Sequence, residues 1–316
     1  MRCLSYMRTK FLNHLATLVA VFILSVHNSS AQNKSIVFET DEAETALSIL
    51  DSLARGESVE IDAWNKLYKT DGYLRLKERE HSMKREFEDD SFRAFLTADE
   101  IRSKRQTLRQ TLAAWCTADL SQSRKLALRY LPPKTTIRAT VYPVIKPKTN
   151  SFVFDLERNP AIFLYLDPEI TPDKMSNTIA HELHHVGFFN ACTESEAEKS
   201  LSALSESKRE AVRWLGAFGE GLAMLAAAGS PKVHPHRFSK PEERERWDND
   251  IERFDSDLAL VEAFLTDVAL GKISEEQVTE RAMYFYGVQG PWYTVGYKMA
   301  ATIETRFGKR KLVSVI

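Results

Sequence analysis

Asn177-Thr178-Ile179-Ala180-His181-Glu182-Leu183-His184-His185-Val186 places two histidines four residues apart, with a glutamate directly after the first. On a helix, positions 181 and 185 are separated by only about 40° around the axis, so both imidazoles can reach one ion. Ile179, Leu183 and Val186 gather on the opposite side and give the helix its own core face. Glu182 lies beside the pair without being needed as a ligand. That is where a carboxylate must sit to polarise a metal-activated water and shuttle its proton. His184 falls about 60° away on the other flank, and its expected role is packing or support of the ligands.

Upstream of this helix the pattern changes period. Ile137, Ala139 and Val141 alternate with polar neighbours, as do Phe152, Phe154 and Leu156, while Ala161–Leu166 is a continuous apolar run closed by Asp167-Pro168. These read as strands, the last one more buried, with hairpin-type connections after Pro143, Pro147 and Asn150. Before them, residues 40–131 read as helices. Thr40 can cap one with Asp41, Glu42 and Glu44 in its first turn, apolar Ala43, Ala46, Leu47, Leu50 and Leu53 on one face, and Gly56 at its stop. Further helices are expected around Lys77–Asp90 and Ala98–Trp115. Helix returns after Pro172 and continues to the end. Strands confined to the middle of a mainly helical chain predict an α+β fold with a small central sheet preceding the histidine helix.

Zinc needs a third protein ligand. A histidine six residues after His185 would define one class, but that position is Ala191, and the glycine expected between them comes early, at Gly187. The alternative is a glutamate from a later helix. Between Arg213 and Lys232 the only charged residue is Glu220. It shares a stripe with Gly216, Ala223 and Ala227, opposite an apolar face of Leu215, Phe218, Leu222 and Leu225. A lone carboxylate there is costly to bury unless paired or metal-bound. Glu194, Glu196 and Glu198 are rival ligands in a more polar segment.

The chain has 316 residues, 43% apolar and 28% charged, and a formal net charge of -1. Such a balance gives no electrostatic case for nucleic acid or an anionic membrane surface as partner. Arg2, Arg8 and Lys10 precede an uncharged apolar run from Leu15 to Val26, followed by Ser29-Ser30-Ala31. This is the pattern of a signal peptide cleaved after Ala31, and the run is shorter than the roughly 20 residues of a membrane span. Export to the periplasm or beyond is the expectation, leaving residues 32–316 as one domain, helical to 131 and carrying sheet and metal helices thereafter. In an oxidising compartment Cys116 and Cys192 either form one disulfide or stay separate thiols. The charged segment 240–257 reads as a solvated helix face. Oligomeric state is not legible, and the stop at Ile316 soon after a helical stretch leaves room for a missing C-terminal piece.

With His181-Glu182-x-x-His185 followed by Glu220-Gly221-Leu222-Ala223, the sequence resembles the gluzincin metallopeptidases. It is similar more closely to a family of exported bacterial proteins taken to be zinc-dependent peptidases with no assigned substrate. Ala63-Trp64, Phe92-Arg93-Ala94-Phe95-Leu96 and Tyr293-Thr294-Val295-Gly296-Tyr297 carry that likeness along the chain. The resemblance implies a zincin-like core, Zn2+ held by His181, His185 and Glu220, and a peptide or protein substrate. It also implies an oxyanion-steadying tyrosine, Tyr293 or Tyr297, with Tyr284 and Tyr286 less favoured because they precede the Gly290-Pro291 break. Substrate is expected along an edge strand, Ala161–Leu166 or Phe152–Leu156. One departure is Met224, where thermolysin-like enzymes carry the acid that orients a histidine. Hydrolysis of a non-peptide amide, or peptide binding without turnover, are the competing expectations. Glu182 speaks against the second, since binding alone has no use for a general base.

Overall fold

The computed structural model describes residues 35–193 and 201–315. The expected signal segment 1–31 and Glu194, Glu196 and Glu198 lie outside the described residues. The chain divides into two compact units, residues 1–37 and 38–316. The first is described only at residues 35–37, where strand β1 (Ile36–Phe38) begins. The second carries all the later elements.

Helix α1 (Asp41–Ala54) starts with Asp41, Glu42 and Glu44 in its first turn and buries Ala43, Ala46, Leu47 and Leu50. It stops where Gly56 turns to φ 75°. Thr40 does not cap the backbone; its hydroxyl donates to the Glu44 carboxylate at 2.8 Å. Glu42, nominally a first-turn charge, is buried and accepts the Ile145 amide at 3.2 Å. Helices α2 (Ile61–Tyr68), α3 (Asp71–Ser82), α4 (Asp89–Thr97), α5 (Asp99–Cys116) and α6 (Ser121–Leu128) follow. The single helix expected over Lys77–Asp90 is therefore two. The chain reverses after Ser82 through Lys84, at φ 53°, and returns Asp89 to α3. There the Tyr73 hydroxyl (2.8 Å) and the Lys77 ammonium (2.7 Å) both donate to the Asp89 carboxylate. These long-range polar contacts override the local helical pattern.

The sheet adds β2 (Ala139–Val144), β3 (Phe152–Phe154) and β4 (Ala161–Tyr165), in the order β1-β2-β4-β3. With these strands among the helices the fold class is α+β. Strands β2 and β4 are parallel, Val141 opposite Ile162, whereas β3 is antiparallel to β4, Phe152 opposite Phe163. The hairpin is thus β3–β4, not the β2–β3 pair that the turn residues suggest. The reason is burial. Ala161, Ile162, Phe163 and Leu164 of β4 are all shielded, and a strand buried on both faces belongs in the interior of the sheet. Asp155, at φ 55°, closes the turn that brings β3 back against it.

Helix α7 (Pro172–Thr193) carries the two histidines. Next come α8 (Glu206–Leu215), a 3-10 turn over Gly216–Phe218, and α9 (Gly219–Ala228). The break between α8 and α9 departs from the expected continuous helix, and it leaves Leu215 exposed rather than on a core face. Helix α9 is buried from Gly221 to Ala228, packed between α7 and α13 (Pro291–Phe307). At the crossing with α13, a Cβ on Gly221 would lie 2.0 Å from the Tyr297 amide nitrogen and 2.3 Å from the Gly296 carbonyl carbon. Close approach thus occurs at Gly221 and Gly296. It does not occur at Gly216, around which there is open space. Helices α10 (Pro241–Glu252), α11 (Phe254–Ala269), α12 (Glu275–Tyr286) and α14 (Lys309–Val313) complete the unit. Segment 240–257 is only partly a solvated face, because Trp247 is buried. No disulfide joins Cys116 and Cys192. Among the described residues no helix is long and apolar enough to cross a membrane.

Candidate metal centre

Ile179, Leu183 and Val186 are wholly buried, which fixes the rotation of α7 and turns His181 and His185 toward α9. Glu220 in the first turn of α9 meets them. The two Nε2 atoms lie 3.0 Å apart, and each is 3.2 Å from Glu220 Oε2. These three residues form a group that could hold a metal ion, the only such group of His, Cys, Asp and Glu among the described residues. Bonds of about 2.0–2.1 Å at tetrahedral angles place neighbouring ligand atoms about 3.3 Å apart, and the observed triangle is close to that. Two imidazole nitrogens and one carboxylate oxygen are also a donor set that zinc accepts. Residue types and geometry therefore fit the ion.

Charge couples the three groups to one another. Burial disfavours charge on Glu220, but His185 and His181 outweigh it and hold the carboxyl well below its usual range. Burial likewise opposes protonation of His185, yet the adjacent Glu220 carboxylate pushes it up to about 9. Glu182 is buried, and that burial raises its carboxyl, with His181 and His185 pulling the other way. His184 is fully buried against Phe188, and burial drives it down to about 3, which keeps the imidazole neutral. His181 Nδ1 is buried without a hydrogen-bond partner among the described residues.

The two expected tyrosines part company. Tyr293 lies over His181 in a near-parallel stack, ring centroids 6.4 Å apart, and burial followed by the Glu220 and Glu182 charges raises its phenol strongly. Tyr297 is not at the centre. It packs edge-on against Trp247 at 5.4 Å, in a cluster with Leu222 and Leu225. Four residues of helix advance about 6 Å, which is enough to put the Tyr293 ring over His181 and the Tyr297 ring against Trp247. Tyr286 comes close instead, lining a cavity of about 320 Å³ with His185 and Glu220. Burial, then the Glu220 charge, pushes its phenol to about 12. The Gly-Pro break does not separate it from the centre as expected, because the chain there makes a tight reversal. The Gly290 amide donates to the Tyr286 carbonyl at 2.7 Å, and the Tyr286 and Tyr293 rings stand 6.5 Å apart.

A cleft of about 400 Å³ opens beside His181, Glu182 and Tyr293. Ser151, just before β3, and Asp167, just after β4, form one wall; Lys174 and Glu243 form another, joined at 3.2 Å. Strand β4 lies inside the sheet, so of the two expected edge strands only β3 has an end position.

An α+β fold with two histidines and a glutamate converging beside a cleft defines the class: a protein with a candidate single-ion site built on two helices. The chain belongs to the family described as "Putative zinc dependent peptidase (DUF5700)", whose model matches residues 64–316. No curated protein and no solved structure matches it.

Proposed function

We propose that the protein is an exported zinc-dependent metallopeptidase that hydrolyses peptide bonds at this centre. The observation that carries the reading is the triangle of donor atoms, 3.0–3.2 Å on each side, beside a buried glutamate in an open cleft. His181, His185 and Glu220 hold the ion. Zinc, when bound, supplies Lewis acidity that activates water near neutral pH and polarises a carbonyl. Glu182 takes a proton at its carboxylate and returns it to the leaving amine. A carboxyl raised by burial suits a group that must do both. Tyr293, whose phenol stays protonated, donates its hydroxyl to the oxygen on which negative charge develops. The end strand β3 takes the substrate backbone as an added strand. Family membership supports the peptidase reading at the level of class. Signal-peptide features in residues 1–31 support action outside the cytoplasm.

The test is a pair of variants assayed on a mixed peptide library and on cell-wall material. Glu182→Gln is expected to abolish hydrolysis while zinc measured by atomic absorption stays near one per chain. Glu220→Ala is expected to lower zinc content and rate together. Undiminished turnover in Glu182→Gln, or full zinc occupancy in Glu220→Ala, overturns the respective role. Cleavage of cell-wall amides with no cleavage of peptides overturns the substrate class.

A further inference from the structure

The reversal that joins α12 to α13 contains Gln289, at φ 63°. Left-handed backbone is uncommon for a residue with a side chain, and glycine adopts it without steric cost. Glycines stand at 287 and 290 in the same turn, so Gln289 is the position where a side chain is kept against the backbone's preference. Four non-glycine residues have positive φ among those described: Lys84, Lys134, Asp155 and Gln289. Of these, Gln289 alone lines the cleft that holds His181, Glu182 and Tyr293. It precedes the start of α13, whose first turn carries Tyr293, and the Tyr293 amide donates to the Gly290 carbonyl at 2.9 Å. The turn is also tightly packed on itself: a Cβ on Gly290 would meet the Phe285 carbonyl oxygen at 2.7 Å.

Gln289 makes no hydrogen bond within the described chain, although it is only half-exposed at the cleft wall. Its carboxamide has a donor and an acceptor on one planar edge, the complement of the N–H and C=O that one residue of an extended chain presents on the same side. It carries no charge, so it does not select among substrate side chains. A carboxamide hydrogen-bonded to nothing else in the described chain, held at the cleft wall on a left-handed turn, stands where a ligand can reach it.

We infer that Gln289 is a substrate-binding residue that takes the main-chain N–H and C=O of one residue of an extended substrate beside Tyr293. It donates from its amide nitrogen to the substrate carbonyl and accepts the substrate N–H at its oxygen. This rests on the peptidase reading of the centre. It adds to that reading the recognition of the peptide main chain, as distinct from an isolated amide with no neighbouring peptide group.

The experiment compares wild type with Gln289→Gly, in which the backbone is relieved while the side chain is lost. Zinc-loaded protein is assayed with a fluorogenic octapeptide and with versions N-methylated at each peptide nitrogen in turn. The variant is expected to keep its zinc and to melt at or above the wild-type temperature. Its kcat/KM should fall about 3–10-fold, mostly through KM, the loss of one or two ordinary hydrogen bonds. One N-methyl position should cost the wild type about the same factor and the variant less than about twofold, because the partner is already gone. Binding of the same peptides to zinc-loaded Glu182→Gln protein, with and without Gln289→Gly, is measured by fluorescence anisotropy. Unchanged binding and kcat/KM in the Gln289→Gly proteins overturn the assignment. So does an N-methyl penalty that is equal in variant and wild type, or a loss explained by a lower melting temperature. Weakened binding in a protein that cleaves no peptide at all would overturn the peptidase reading and leave the Gln289 contact standing.

Discussion

Replacing Gly221 by alanine tests whether the glycine crossing holds the centre together. The added methyl would lie 2.0 Å from the Tyr297 nitrogen, 2.3 Å from the Gly296 carbonyl carbon and 2.5 Å from the Tyr293 carbonyl oxygen, all backbone atoms of α13. Backbone cannot turn aside as a long side chain can. Ordinary contact begins at 3.4 Å, so the helices must part by roughly 1.4 Å. Overpacking of this kind costs about 1–3 kcal/mol and occasionally more, while alanine in a helix interior gains about 0.5–1 kcal/mol over glycine. The steric term wins, and a net loss of about 2 kcal/mol is expected. For a unit of this size that is a fall of roughly 4–8 °C in melting temperature. Gly216→Ala is the control, since no atom lies within 4 Å of its Cβ position, and it should stay within about 0.5 kcal/mol of wild type. Urea denaturation followed by circular dichroism gives both values. Because Glu220 and Tyr293 flank the crossing, peptide turnover well below the melting point should fall in Gly221→Ala and hold in Gly216→Ala. A Gly221→Ala protein as stable as wild type, or a control that loses as much, refutes the reasoning.

Removing the phenol hydroxyls should separate the tyrosines. Tyr293→Phe is expected to lose about 10²–10³-fold in kcat with zinc retained, whereas Tyr297→Phe should change turnover less than twofold; equal effects would contradict the division of roles. Glu42 supplies a pH prediction. Burial raises its carboxyl from 4.5 to about 8, against the Ile145 amide, so the folded chain keeps a proton that the unfolded chain releases near 4.5. Its contribution to stability is full below pH 4.5, is lost as pH rises toward 8, and is absent above. Glu42→Gln should therefore match wild type near pH 4 and exceed it near pH 9 by an amount on the order of a few kcal/mol. Parallel urea midpoints for the two proteins at both pH values would rule this out.

The strongest sequence signals are those in which one local rule decides. Helical period alone puts His181 and His185 on one face of α7 and Leu183 on the other. Glu220 is conspicuous as the one charge in an apolar stretch, and the structure brings it to the histidine pair. The features that escape a sequence reading depend on contacts distant along the chain. Turn residues cannot show that β3 pairs with β4, because the exchange depends on β4 being buried on both faces. Tyr293 and Tyr297 share a helical face by counting, but one turn of helix puts the first ring over His181 and the second against Trp247. Of the small-residue stripe Gly216, Ala223 and Ala227, the last two are buried while Gly216 meets open space, and the tightest backbone approach falls at Gly221, because which side of a helix meets another is set by the partner. Glu42 looks like an ordinary first-turn acid, since what lies against it, Gly72 and the Ile145 amide among them, is distant along the chain. Tyr286 is hidden by a Gly-Pro break that looks like a separation and is a tight reversal.

Strand β3 is an end strand only three residues long, Phe152-Val153-Phe154. Exposed edges invite pairing with the edges of other chains, and short length and nearby cations are among the means by which proteins discourage it. Both are present: the strand has three residues, and the Arg79 guanidinium lies 3.9 Å over the Phe152 ring. An edge this short offers a guest strand few main-chain hydrogen bonds. A compact folded protein has no extended segment free to lay along it and little to gain there, whereas a linker, a tail or an unfolded chain does. The length of one strand thus bears on aggregation and on the physical state of the proposed substrate alike.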